Sequence, residues 1–419
     1  MCAVRGVATV RTVPGMRVNP RGYVAWSALA AIWLASRSLI YVVATRPKLL
    51  GDIGEYHHWY ACCFAHGTFP LADPTWQYPP GAALAFWLPG ALRGNYVDNF
   101  ALLAIGCDLA ITVMLWARSR RGGSPAGAWY WVCGVPVLGV IADARFDVFS
   151  VALAVAALCL PIRESVRGPA AGWARGTLTG AGAALKVWPL TLLTGTPPGQ
   201  WRRAIGAAAA VLAAVWLAFP HATASFLAHQ SARGVEIESV AATAFMVWRT
   251  VGWQGTWVFR FGAWQLSGPD VTFAQDAARV CFLTAMAAVI AWSVLIARGR
   301  LRWRPEFAAD APLAATLLFL ITSPVLSAQY ILWALGLAAV CLAAGQTTQR
   351  PVAVALLAVA GITQIIFPGQ WPHLLSGSAL ITGVLVLRNV LLVAATALSW
   401  QRLLSAAANR GRGPCAAVP

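Results

Sequence analysis

Outside its arginine-rich clusters this 419-residue chain carries few ionisable groups, and those it has gather at a handful of places. The run Gly51-Asp-Ile-Gly-Glu-Tyr56, continued by His57-His58-Trp59-Tyr60, offers Asp52 as a general base for any substrate hydroxyl that reaches it. The plainer alternative is a solvated loop acid, or the N-cap of a helix over 53–64. Glu55 stands at i+3, one turn further on, as the nearest substitute. Arg37 falls 14 residues into an apolar run that opens at residue 23, roughly 21 Å along it at 1.5 Å per residue. It can snorkel to lipid phosphate or line an internal site. Lys186, in Ala183-Ala-Leu-Lys-Val-Trp-Pro189, is one of two lysines; the other, Lys48, is in a loop. An ammonium in mid-helix beside a proline is poorly explained as surface charge and would suit a lipid-linked phosphate. In Ala232-Arg-Gly-Val-Glu-Ile-Glu-Ser239, Arg233, Glu236 and Glu238 alternate, either as a solvated Arg–Glu turn or as part of a site. Glu238 is a more distant substitute for Asp52. The paired prolines of Trp76-Gln-Tyr-Pro-Pro80 preset the entry of a helix. A carboxylate base with cations beside a membrane points to a reaction that releases a lipid phosphate.

Composition says what kind of scaffold must hold these groups. Hydrophobic residues make up 59% of the chain and charged residues 11%, against about 25% charged in a soluble domain; mean hydropathy is +0.66. So few charges cannot cover a water-facing surface of this size, and lipid must be the main solvent. The expectation is an all-α integral membrane protein, one polytopic domain over 1–419. The net charge is +17, and arginines gather in short clusters between apolar stretches: Arg118-Ser-Arg-Arg121, Arg202-Arg203, Arg298-Gly-Arg-Leu-Arg302 and Arg410-Gly-Arg412. That is the pattern of cytoplasmic loops. No groove-reading or base-stacking motif accompanies it, which speaks against a nucleic-acid partner. The nine cysteines fall mostly in apolar runs, as small buried hydrophobes, and no metal-ligand spacing appears; neither metal nor cofactor is expected.

The tail 1–22, with Arg5, Arg11, Arg17 and Arg21, should stay cytoplasmic and lead uncleaved into a first span near 23–45. Residues 46–77 then form a first external loop that carries Asp52. Further apolar runs near 79–92, 97–117, 126–141, 147–160, 174–195, 203–220, 278–297, 311–326, 328–345, 351–367 and 376–399 give roughly 11–13 spans. Several are shorter than the ~20 residues of a straight span, and Pro89, Pro136 and Pro189 point to broken or half-crossing helices. The second half orients cleanly, with 221–276 as a second external region and 400–419 as a cytoplasmic tail. The first half admits two solutions. If 79–92 crosses fully, the Arg118–Arg121 cluster is outside; if it is re-entrant, the cluster is inside.

Seven pieces recur in a telling order. They are Gly51-Asp52 with Tyr56, Tyr78-Pro-Pro80, Arg145-Phe-Asp147, Leu185-Lys186 with Pro189, Arg233-Gly-Val-Glu-Ile-Glu-Ser239, Leu326-Ser-Ala-Gln-Tyr330 with Trp333, and Leu387-Arg-Asn389. With them the chain resembles the membrane glycosyltransferases of the GT-C type. Among these it is most similar to glycosyltransferase family 87, which includes actinobacterial polyprenol-phosphate-mannose-dependent mannosyltransferases. It departs from the family's pattern in the histidine-rich Tyr56-His-His-Trp-Tyr60, and in Asp143-Ala-Arg-Phe-Asp147, where a Gly-Asn or Gly-Gln type turn is expected.

The resemblance implies a GT-C-like bundle with short external loops, set in the cell membrane with its active site on the extracytoplasmic side. The donor would be a sugar, mannose by association with the family, on a polyprenyl phosphate. A lipid- or glycan-linked acceptor hydroxyl attacks the anomeric carbon with inversion, Asp52 takes the proton, and polyprenyl phosphate leaves without nucleotide or metal. Lys186, Arg37 and Arg233 would hold the donor phosphate, and Glu55, Tyr56, His57 and Glu238 would assist Asp52. Tyr78, Gln329 and Tyr330 would bind substrate. The rival is a transporter or lipid flippase of cell-envelope precursors, where broken helices and buried charges are equally expected. That rival calls for an inverted repeat, which the sequence does not show, and does not require the carboxylate after the first span.

Overall fold

The computed structural model describes residues 20–44, 51–159 and 169–408. Arg5, Arg11, Arg17, Lys48 and the Arg410–Arg412 cluster lie outside them. The bundle consists of α1 (Pro20–Ala44), α2 (Gly51–Cys62), α3 (Ala82–Ala91), α4 (Tyr96–Arg120), α5 (Ala126–Leu138), α6 (Asp147–Cys159), α7 (Pro169–Leu185) and α8 (Trp201–Ala218). It continues with α9 (Pro220–Ala232), α10 (Thr243–Arg249), α11 (Val271–Ala297), α12 (Phe307–Thr322), α13 (Ile331–Ala343), α14 (Arg350–Gln364), α15 (Trp371–Leu375) and α16 (Ala379–Ala408). Among the described residues six helical stretches, α1, α4, α8, α11, α14 continued to Gly369, and α16, are long and apolar enough to cross a membrane. Their exposed side chains are apolar, as in Val24, Leu34 and Leu39 of α1 or Val280, Leu283 and Ile290 of α11. This is a multi-pass, all-α membrane protein.

Shorter helices survive because other helices, not lipid, surround them. In α13 every residue from Ile331 to Cys341 is buried, which suits a sequence that is apolar on all sides. Close approach is bought with small side chains. A Cβ on Gly176 of α7 would stand 2.2 Å from the Ala204 carbonyl oxygen of α8, so these two helices meet backbone to backbone.

Contacts sort the helix ends into two sets. At one end Arg118 donates to the Leu158 carbonyl (3.3 Å), the Ser124 amide to the Ala343 carbonyl (3.0 Å) and Gln349 Nε2 to the Ser399 carbonyl (3.4 Å). The arginines at 118–121, 202–203 and 298–304 all belong to this end. The opposite end gathers α2, α3, the 143–147 turn, the end of α7, and everything from α9 to β2. Of the two solutions left open by the sequence, the re-entrant one fits this arrangement. The ten residues of α3 span about 15 Å, too little for a crossing. Both ends of α3 are tied to the α2 end of the bundle: the Tyr60 hydroxyl donates to the Gly90 carbonyl (2.9 Å), and a Cβ on Gly81 would stand 2.6 Å from the Ala184 carbonyl oxygen. Then α4 crosses and delivers Arg118–Arg121 to the arginine-rich end.

Residues 221–276, expected as a second external region, hold most of α9, all of α10, a hairpin and the start of α11. A hairpin of β1 (Thr256–Arg260) and β2 (Ala263–Ser267) turns through Phe261 and Gly262, both at positive φ (50° and 67°), as a two-residue hairpin turn requires. The 234–237 segment lies along β2, with the Ile237 amide donating to the Trp264 carbonyl (3.0 Å) and the Leu266 amide to the Val235 carbonyl (2.9 Å). The hairpin thus fixes the strand of charges Arg233, Glu236 and Glu238.

Candidate active site

A cavity of about 460 Å³ opens where α7 stops. Lys186 forms part of its floor. Its Nζ donates to Asp147 Oδ1 (2.7 Å), which also accepts from Trp333 Nε1 (2.6 Å). The ammonium lies 4.6 Å from the Tyr330 ring centroid, 4.9 Å from Phe146, 5.2 Å from Trp333 and 5.8 Å from Tyr78, a setting that favours a cation. One of its three N–H groups is spent on Asp147, leaving two for a ligand. Tyr78 is brought in by the 76–80 strap, which α9 grips: Gln230 Nε2 donates to the Gln77 carbonyl (2.8 Å) and the His229 ring bonds the Trp76 carbonyl.

Arg233 joins Lys186 on the lining. Its residue is 7% exposed, and its Nε is buried without a hydrogen-bond partner. A buried guanidinium left this way costs free energy, so the site keeps a cation in readiness for an anion. Gln275 Nε2 holds the Arg233 carbonyl (2.8 Å) from α11, and Arg279, also on the lining, donates to the Ser231 carbonyl (2.8 Å). Phe226, Leu227, Phe282, Leu283 and Phe319 make an apolar side of the wall, and Gln77, Gln230 and Ser323 are polar groups on it. Leu227 and Leu283 are exposed on the flank of the bundle, where the half-exposed Arg279 also borders the cavity, while Lys186 and Arg233 are buried at its inner side.

Asp52 lies in the first turn of α2, where the helix dipole favours a carboxylate, and pairs with Arg145. Its side chain is 41% exposed, that of Arg145 only 11%. Two residues past Arg145, Asp147 opens α6 and binds Lys186, so a line of charges leads from Asp52 to the cavity floor. Glu236 accepts from Ser327 Oγ (2.9 Å), and Glu238 faces Arg388 of α16 at 3.6 Å. Burial raises both carboxyls above the usual range, against the pull of Arg233 and Arg388 on Glu236 and of Arg388 on Glu238.

A family model for glycosyltransferase family 87 matches residues 76–324. The chain belongs to glycosyltransferase family 87. No curated protein and no solved structure is similar enough to count as a match. The matched stretch of this family 87 glycosyltransferase takes in Tyr78, Arg145, Asp147, Lys186, Arg233, Glu236 and Glu238; Asp52, Tyr330 and Arg388 lie outside it.

The residues singled out by sequence do not all meet. Lys186, Arg233, Tyr78 and Tyr330 line one cavity. Arg37 is elsewhere: it is 2% exposed, its Nε and Nη2 donate to Asp108 (2.9 and 3.0 Å), and it borders a separate recess between α1 and α4. Asp108 neutralises it from α4, so it is not placed to hold a ligand at Lys186. Glu55 shares the Asp52 face of α2 but accepts from Thr75 Oγ1 (2.6 Å). Tyr56 is buried among Phe86, Phe100 and Phe146. His57, about 140° round the helix from Asp52 if each residue turns 100°, stacks on Tyr96 at 4.7 Å. Glu238 is buried against Arg388, and Gln329, half-buried on a 3₁₀ turn, is not on the cavity lining. Asp147, Trp333 and Arg279 were missed as site residues. Asp147 and Trp333 stand in the stretches that carried the family resemblance, but nothing in the spacing shows that they share a partner in Lys186.

Proposed function

We propose that this glycosyltransferase moves a sugar, mannose by preference, from a polyprenyl-phosphate donor to a hydroxyl of a lipid- or glycan-linked acceptor, with inversion at the anomeric carbon. The carrying observation is the cavity itself. Two buried cations, Lys186 and Arg233, and the more exposed Arg279 border it, and its apolar side runs out to exposed leucines on the flank of the bundle. A phosphate bearing a long hydrocarbon chain is complementary to cations set beside an apolar wall. Lys186 and Arg233 stabilise the charge that grows on the leaving phosphate. Asp52 accepts the proton of the attacking hydroxyl, Tyr78 and Tyr330 pack against the donor, and Glu238 is a second, more distant carboxylate. The arginine-rich end faces the cytoplasm, so the site end faces outward from the cell membrane and both chain ends stay inside. A transporter reading gives no role to the carboxylate–arginine pair at Asp52.

The test uses the full chain purified in detergent or nanodiscs, with a panel of radiolabelled polyprenyl-phosphate sugars and octyl glycosides as acceptor probes. Wild type should transfer from one donor. Asp52→Asn should lose about 10²–10⁴-fold in rate while still binding that donor. Near-normal transfer by Asp52→Asn, with Glu55→Gln or Glu238→Gln inactive, would move the base elsewhere. A panel without an active donor would overturn the proposal.

A further inference from the structure

We infer that Arg145 is a positioning residue for the transfer reaction: its guanidinium, paired with the Asp52 carboxylate and near the Phe367 ring, aims that carboxylate at the acceptor hydroxyl. The inference rests on the reading of Asp52 as the base. A carboxylate in the first turn of a helix with two-fifths of its side chain exposed has rotamer freedom of its own. Arg145 does not. It is nearly buried, and the turn that bears it is held two residues on, where Asp147 takes hydrogen bonds from Lys186 and Trp333.

The choice of Asp52 as its partner follows from the surrounding charges. Asp147 and Glu238 are both near enough to act on Arg145 electrostatically. Asp147 is engaged by Lys186 at 2.7 Å, and Glu238 faces Arg388 at 3.6 Å. Asp52 is the acid that the Arg145 guanidinium itself reaches. A planar guanidinium can hold one carboxylate oxygen and leave the other free to receive a proton, which a point charge does less well.

The guanidinium has a second support. Its carbon lies 5.6 Å from the Phe367 ring centroid. Phe367 interrupts the helix after α14 with extended dihedrals (φ −128°, ψ 125°), and its ring is braced edge-on against Trp371 of α15 at 5.2 Å. A residue from the last quarter of the chain, beyond the family-matched stretch, thereby fixes the group that fixes the base.

The experiment compares kcat, KM and pH–rate profiles of full-length wild type, Arg145→Gln, Arg145→Lys, Phe367→Leu and Asp52→Asn, using the donor that the panel identifies and transfer to both an octyl glycoside and water. Arg145→Gln should lower kcat on the order of 10²-fold with donor KM within a few-fold, since a small misplacement of a reacting group costs that much. The acid limb of its profile should move to higher pH, because the carboxylate loses its opposite charge. Arg145→Lys should keep the limb near wild type while losing rate, and Phe367→Leu should fall between wild type and Arg145→Gln. The double variant Asp52→Asn/Arg145→Gln should be no slower than Asp52→Asn alone. A lower Tm with kcat and pH profile intact would reduce Arg145 to a structural tie, and a donor KM raised tenfold at unchanged kcat would make it a donor ligand; either overturns the inference. If Asp52→Asn keeps its activity, it is the base assignment that fails. If Arg145→Gln does not fold, Arg145→Lys and Phe367→Leu decide by the same readouts.

Discussion

Two buried cation–aspartate clusters sit in this bundle, and they are built in opposite ways. In the first, Arg37 and Asp108 consume each other. Asp108 accepts from Arg37 Nε and Nη2, from Trp131 Nε1 (2.7 Å) and from the Trp33 indole, while Arg37 Nη1 goes on to the Val132 carbonyl (2.7 Å) and Ser36 Oγ (3.1 Å). In the second, Lys186 gives one hydrogen bond to Asp147, Asp147 Oδ2 is buried without a partner, and so is Nε of nearby Arg233. The first cluster joins α1, α4 and α5 and has no capacity to spare. The second borders a cavity and keeps donors free. An ionisable group inside a membrane is a functional candidate by default, and the contrast supplies the missing criterion: whether its hydrogen-bonding capacity is already used by the protein.

The sharpest way to break that contrast is to cut each cluster once. Arg37→Met leaves Asp108 buried and uncompensated, which costs about 3–5 kcal/mol. Thermal denaturation in detergent should show a large fall, and Arg37→Met/Asp108→Leu should recover most of it, since a packed apolar pair replaces a buried ion pair at little cost. A single variant as stable as wild type would mean that the first cluster is not closed. Arg233→Met should behave differently. It removes a guanidinium whose buried Nε is unsatisfied, and Glu236, on which Arg233 pulls, keeps Ser327 and Arg388, so Tm should fall much less than in Arg37→Met. Donor KM should increase by roughly 10–100-fold, the equivalent of the 1.5–3 kcal/mol that a hydrogen bond to a charged group contributes. Unchanged donor KM would remove Arg233 from the phosphate site. Lys186→Arg sharpens the point further, because a fork does not replace a point charge among four aromatic rings.

The sequence exposed one side of each pairing and hid the other. Arg37 and Lys186 stand out because a charge interrupts an apolar run. Asp108 interrupts a run in the same way, yet nothing in linear order says that it lies opposite Arg37 rather than in a site, and that fact alone turns Arg37 from ligand to strut. Asp52 was visible from its place after the first span; its partner Arg145 is 93 positions on, where the two elements meet only through the fold. The crossings were legible because lipid demands long apolar helices, and α3 was ambiguous because its length falls between a span and a half-crossing. The β1–β2 hairpin went unread for a related reason. In a chain that is 59% hydrophobic, the alternation Trp257, Phe259, then Trp264, Leu266 does not rise above the background, and Gly262 is a single turn signal.

The smallest effect expected is also the one that probes the border between the two clusters. Asp143 lies in the turn between α5 and α6, two residues before Arg145. Both of its carboxylate oxygens are buried without a partner. Burial pushes its pKa up to about 7 from an ordinary 3.8, Asp108 adds to the rise, and Arg37 opposes it. A carboxyl raised in the folded state binds more protons there than in the unfolded chain between those two values. Its contribution to stability is therefore full below about 4 and is lost as pH rises through about 7. Asp143→Asn keeps the shape and cannot ionise, so it should be free of that loss. The difference in denaturation midpoint, variant minus wild type, should grow from pH 5 to pH 8, with donor KM unchanged because Asp143 stands with the closed cluster. A difference that stays flat across this range would mean that Asp143 is ionised in the folded protein and paired, and the closed cluster would then extend to the residue that borders Arg145.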